Sequence, residues 1–205
     1  MGKDIWGFVE CHRDYRDHEA DSFWHATIDL DHLKVPRNYD AFGCLFGVCD
    51  NEQFLPVAPV RGLPADASNR VRDGHETTAG RSASWVSWAE IKRVDWDEES
   101  AWPDAYIREY YRDPQGDWQF LQRHYSAPQR FVDLCGQPAH IAVRPSVHFP
   151  EGSQWIDGDR MFRVERLRRR DAVPDDEWGP VWTVMRTLAD LHGDDEVRLV
   201  AWFDD

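Results

Sequence analysis

Most of the signatures that announce a chemistry are missing from this chain. No pair among its four cysteines, Cys11, Cys44, Cys49 and Cys135, has Cys-x-x-Cys spacing, which argues against a zinc ribbon or a thioredoxin-type redox motif. Cys44 and Cys49 are too isolated to read as a disulfide framework, so free buried thiols in a reducing compartment are expected. No apolar run approaches the length of a membrane span. The stretch Met1 to Trp6 has no positive segment followed by an apolar one, so no signal peptide is read, and Trp6 stands where N-myristoylation after Gly2 would need a hydroxyl. A cytoplasmic location is the default expectation. No glycine-rich nucleotide loop is present, and Ser82 and Ser84 lack the Gly-x-Ser-x-Gly context of a hydrolase elbow. Neither internal repeats nor low-complexity segments are found. No cofactor and no metal are expected from these motifs.

Basic charge is in short supply as well. The chain has 24 Lys+Arg against 38 Asp+Glu, a formal net charge of -14. Sequence-independent binding to nucleic acid relies on cations neutralising phosphates, so nucleic acid is disfavoured as a partner. The acidic excess favours solubility and, less strongly, a basic partner protein, as in an acidic inhibitor.

Aromatic area is abundant: eleven Trp, ten Phe and six Tyr in 205 residues. A chain of this size buries an ample core without staples, and one α+β domain over 1–205 is expected. Ile5 to Cys11 is apolar on both alternating sets and reads as a doubly buried strand. Phe23 to Leu30 reads as its hairpin partner after a long polar connection. Asn38 caps a helix whose Tyr39, Phe42, Leu45 and Phe46 share one face. Phe54 to Pro64 is proline-rich and extended. A short helix is expected over 65–72, a loop carrying His75 and Glu76 over 73–80, and a short strand at Ser84 to Val86. Ser87-Trp88-Ala89-Glu90 matches a capping box.

Further on, helices are expected from Ser100 through Tyr111 with Pro103 in the first turn, over 117–125, and over 129–134 with Gly136 as the stop. His140 to Val143 reads as β-prone. Trp155 to Phe162, with Asp157-Gly158, carries the strongest hairpin signal. Trp178, Val181, Trp182, Met185, Leu188 and Ala189 form one stripe of a helix from Glu177 to His192. Val197 to Phe203 is apolar enough to be a central strand. Together these predict a mainly antiparallel sheet that includes both terminal strands, packed by helices.

The residues Met1-Gly2-Lys3-Asp4-Ile5-Trp6, Arg37-Asn38-Tyr39, Arg61-Gly62-Leu63-Pro64, Asp73, Ser82-Ala83-Ser84-Trp85 and the closing Trp202-Phe203-Asp204 resemble the motifs of a family of uncharacterised bacterial and bacteriophage proteins. Typical members begin Met-Gly-Cys-Asp-Ile-His and carry an Arg-Gly-Leu-Pro turn and a His-Ser-His-Ser-Trp motif. The match covers about the first hundred residues and the last thirty, which implies that about 102–174 is an inserted helical and hairpin section. The family's Cys and two of its His positions are Lys3, Arg81 and Ala83 here, and Trp6 replaces another His. Those are the ligand types a transition-metal or thiolate–histidine site would need. The resemblance supplies a candidate site and not a function.

Within Arg37 to Trp88 and its flanks, Asp4, Arg37, Tyr39, Arg61, Asp66, Asp73, His75, Ser82, Ser84 and Trp85 are the candidate ligand-binding residues. Arg37 and Arg61 are suited to clamping a phosphate or carboxylate, or else to pairing with a nearby Asp. Asp73, His75 and Glu76 form an incomplete ligand set, or else a solvated turn. Asp4 and Asp204 converge if the terminal strands are neighbours, and close carboxylates could hold a hard cation. The run Arg160, Arg163, Arg166, Arg168, Arg169 and Arg170 falls on both faces of a strand, which suits a charge-protected edge better than a binding stripe. The expected function is an acidic binding protein of immunity or anti-defence type, capturing a partner protein or a small polar ligand. The alternative is a hydrolase of a phosphorylated or nucleotide-like substrate using Asp4, Asp73, His75 and the two Arg residues.

Overall fold

The computed structural model describes residues 2–13, 23–49 and 53–204. In chain order the elements are β1 (Ile5–His12), β2 (Trp24–Asp29), α1 (Leu30–Leu33), α2 (Tyr39–Phe46), α3 (Asn69–Thr77), β3 (Arg81–Ser87), α4 (Trp88–Ile91), β4 (Glu99–Pro103), β5 (Ile107–Arg112), β6 (Trp118–His124), α5 (Gln129–Cys135), α6 (Ala139–Ala142), β7 (Gln154–Asp157), β8 (Arg160–Arg163), β9 (Arg166–Arg168), α7 (Arg169–Ala172), α8 (Asp175–His192) and β10 (Val197–Phe203). They build an α+β fold on antiparallel sheets. Two compact units result: residues 1–98 with 169–205, and Glu99–Arg168.

In the first unit the strands run β2-β1-β10-β3, so the two terminal strands are central neighbours, with Ile5 opposite Phe203 and Glu10 opposite Arg198. All seven residues of β10 are buried, which explains its unbroken apolar run. A side chain at Gly7 would strike the Val200 carbonyl, so the close approach of β1 to β10 requires glycine there. One sheet face packs Phe8, Val200 and Trp202 against Val71 of α3 and against Ala67. On the other, Phe203 meets Phe42 and Phe46 of α2 edge-on. Asn38 caps α2 by accepting from the Ala41 N–H, and Trp178, Val181, Met185 and Ala189 are the buried stripe of α8.

The second unit holds a four-stranded sheet, β6-β5-β8-β7, and the pair β4-β9. Its core gathers Ile107, Phe131, Ala142, Phe162 and Val164. Gly136 ends α5 in the left-handed conformation, and Asp157-Gly158 turns β7 into β8.

Several local expectations are overturned here. The regions 100–111 and 117–125 are strands, not helices. The reason is cross-strand: Arg112 lies over Trp118 at 4.6 Å, Arg108 over Phe120 at 4.6 Å, and Asp113 closes the turn by accepting from the Gln115 and Asp117 N–H groups. His140 to Val143 lies in and just after the helical turn α6, which opens behind Pro138. The expected helix over 65–72 starts later. Ser68 caps α3 at Val71, and the helix runs on through Asp73, His75 and Glu76, which were expected in a loop. β8 is an interior strand between β5 and β7, not a protected edge. The expected long polar connection between β1 and β2 lies largely outside the described residues.

Candidate functional site

Two arrangements of the first unit gather most of the candidate residues singled out by sequence. At the open end of β1, Arg37 donates to both oxygens of Asp4, at 2.8 and 2.7 Å, in a bidentate pair. Asp4 and Asp204 do converge, because β1 and β10 pair, but they face different donors. Asp204 accepts from the Asp4 N–H at 2.6 Å and from the Trp6 indole at 3.4 Å. The Tyr39 hydroxyl accepts from the Lys3 N–H. A cavity of about 210 Å³ opens beside this group, lined by Asp4, Trp6, Asp31, Lys34 and Arg37 among others.

Beyond it on the sheet lies a buried polar cluster. Arg198, 4% exposed, donates from Nε to Glu10, itself fully buried, and from Nη1 to Asp66, both at 2.8 Å. Glu10 also accepts from the Ser68 N–H, and Asp66 from the Trp24 indole at 2.9 Å. The guanidinium lies over Trp24 at 3.7 Å and 5.9 Å from Trp85, while Arg61 covers Trp85 at 4.8 Å. Arg61 then donates to Glu90, the capping-box residue of α4, at 2.9 Å. Burial pushes both the Asp66 and Glu90 carboxyls up. Hydrogen bonds from Arg198 to Asp66, and from the Ser87 backbone and Arg61 to Glu90, outweigh it and hold both below the ordinary carboxylate range. Arg198 Nη2 has no hydrogen-bond partner among the described residues.

The remaining predicted residues lie apart from these two groups. Asp73 is exposed on α3, and His75 packs edge-on against Trp202 at 5.6 Å. Ser84 is fully buried, its hydroxyl 2.8 Å from the carbonyls of both Ala58 and Pro59. Ser82 takes a left-handed backbone, φ 48°. Asp4 and Arg37 therefore share one arrangement, Asp66, Trp85 and Arg61 another, and Asp73 with His75 and the two serines lie elsewhere. Among the described residues no group of three His, Cys, Asp or Glu is placed to hold a metal ion.

Residues outside the candidate ligand-binding set form a groove of about 430 Å³. Leu55, Pro56, Val57 and Val94 are its apolar part. Glu90, Asp95 and Glu98 line it together with Arg93 and Arg169, Glu90 being paired with Arg61 and Glu98 with Arg169. Arg169 is 5% exposed and fixes the groove from below: it donates to Glu98 at 2.8 Å and to the Leu55 carbonyl at 2.9 Å, and lies over Phe54 at 5.1 Å. The proline-rich segment is tied down at Val57 to Cys44 (3.1 Å), Ala58 to Leu45 (2.8 Å) and Gly62 to Ala83 (2.9 Å) by backbone hydrogen bonds. Leu55 nonetheless remains 82% exposed. Four other members of the arginine run are ion-paired: Arg160 with Glu109, Arg163 with Glu165, Arg166 with Glu151, and Arg170 with Asp97.

Comparison with protein-family models, with curated proteins and with solved structures returned no match. No helix among the described residues is long and apolar enough to cross a membrane.

Proposed function

We propose that this chain is a non-enzymatic binding protein that captures a basic protein partner on the groove between Leu55–Val57 and Glu90–Glu98. One observation carries the reading: a strongly exposed leucine whose carbonyl is held by Arg169, at a groove lined by Glu90, Asp95 and Glu98 beside Arg93 and Arg169. A pre-ordered apolar anchor lowers the ordering cost of association, and surrounding charge selects and steers the partner. The charge distribution supports the same polarity. Residues 99–168 carry ten acids and nine bases, leaving the first unit with 28 acids against 15 bases. Masking of a basic protein, as an inhibitor or an immunity protein does it, is the form of capture this surface fits.

The polar residues named from the sequence take a supporting part in this reading. Arg37 is engaged by Asp4, Arg61 by Glu90, and Asp66 by Arg198 and Trp24. They tie together the sheet strands and α4 of the first unit. Native mass spectrometry of untagged protein from its host tests the proposal when paired with Leu55→Asp. A stoichiometric basic partner, lost in the variant and weakened by salt, is expected. A complex insensitive to the substitution would move the binding surface elsewhere.

A further inference from the structure

A second cavity of the first unit, of about 350 Å³, lies between α4 and its following turn, α7 and the start of α8. Trp88, Trp96 and Trp182 line it, with Ile91 and Val173 as the buried aliphatic part. Trp96 and Trp182 are 6.2 Å apart and inclined at 45°, and Trp182 in turn stacks on the fully buried Trp178 at 5.4 Å. Two lining indoles are thus inclined to each other, and one of them is braced by a third ring. The size falls within the range of small-molecule sites.

The charges at the rim decide which ligand suits it. Lys92 donates to Asp194 at 2.6 Å, and Arg170 pairs with Asp97, so each lining cation is answered by a carboxylate. Asp175, exposed in the first turn of α8, also lines the cavity and has no ion pair among the described residues. Two cations therefore stand against three carboxylates, and acids crowd the adjoining segments at Asp95, Glu98, Asp171, Asp176 and Asp195. Indole faces are negative, and an alkylated ammonium satisfies both the rings and the carboxylate without needing a hydrogen bond. We propose that this tryptophan cavity binds an organic cation carrying a quaternary ammonium group, with Trp96 and Trp182 facing the cation and Asp175 supplying the counter-charge.

Choline and Nε-trimethyllysine present the same headgroup from a free small molecule and from a modified side chain. Calorimetric titration of the full chain with each, at constant ionic strength, tests the proposal against the neutral isostere 3,3-dimethylbutanol. Saturable binding of at least one ammonium, about tenfold tighter than the isostere, is expected from the cation–π contribution, and the tighter of the two identifies the source. Asp175→Asn lies on an exposed position and leaves folding intact; it is expected to weaken binding about threefold to fivefold. Trp182→Leu is expected to abolish the preference over the isostere, with a melting curve confirming that the variant is folded. Equal binding of the neutral isostere, or no binding of either ammonium, would overturn the proposal.

Discussion

Arg198 and Glu10 are the two residues whose replacement should be felt furthest. Each is the one charged side chain in an otherwise apolar strand segment, and they face each other in the middle of the sheet. Removing one member of such a pair strands the other in an apolar interior, at about 3–5 kcal/mol. Arg198→Met should therefore destabilise strongly, and adding Glu10→Gln should recover much of the loss, as read by urea denaturation of the single and double variants. Acid should act on the periphery of the same network. Asp66 and Glu90 have carboxyls held below their ordinary 3.8 and 4.5. A group with a lower pKa when folded contributes stability that is complete above its unfolded value and is lost as pH falls through the folded one. The two contributions are thus full at neutral pH and decline below about 4.5. Thermal melting of Glu90→Gln across that range should show a shallower acid dependence than the parent; an identical dependence would remove Glu90 from the account.

At the level of elements, the difference between what the sequence shows and what it hides follows the range of the interactions. Capping is local, so Asn38, the Ser87–Glu90 box and Gly136 were legible where they stand. The β10 run and the Asp157-Gly158 hairpin were legible because burial and turn geometry write directly into residue type. The β5–β6 hairpin was not, since its stability comes from Arg–aromatic pairs across strands, while its aromatic spacing taken alone also fits a helix. The candidate residues fared similarly. Asp4, Arg37 and Asp66 were legible as charged groups in a dense segment, but their partners depend on strand order. Arg169 reads as one member of an arginine run, and only tertiary packing places it beneath Leu55. The lone charges Glu10 and Arg198 were a readable signal for the buried pair. Replacing Ser87 by Ala should cost about 1 kcal/mol through loss of the cap on α4, checked by chemical denaturation, with a larger loss if Glu90 is also displaced from Arg61.

For the whole molecule, the chain breaks of the first unit are already joined: the Arg169 N–H donates to the Glu98 carbonyl at 3.1 Å. A short Gly-Ser linker in place of residues 99–168 should therefore leave a unit that melts cooperatively, because the sheet β2-β1-β10-β3 and the helices on it lie outside the excised segment. Loss of cooperative melting would show that the second unit is required for the first to fold. The acidic charge and the Leu55 groove both remain in the shortened chain, so partner capture should survive the deletion as well. The measurement that bears most directly on this account is native mass spectrometry of the host-purified chain beside Leu55→Asp. The account predicts a stoichiometric basic protein on the parent and a bare chain for the variant. A bare parent chain, or a partner retained unchanged by the variant, would contradict it.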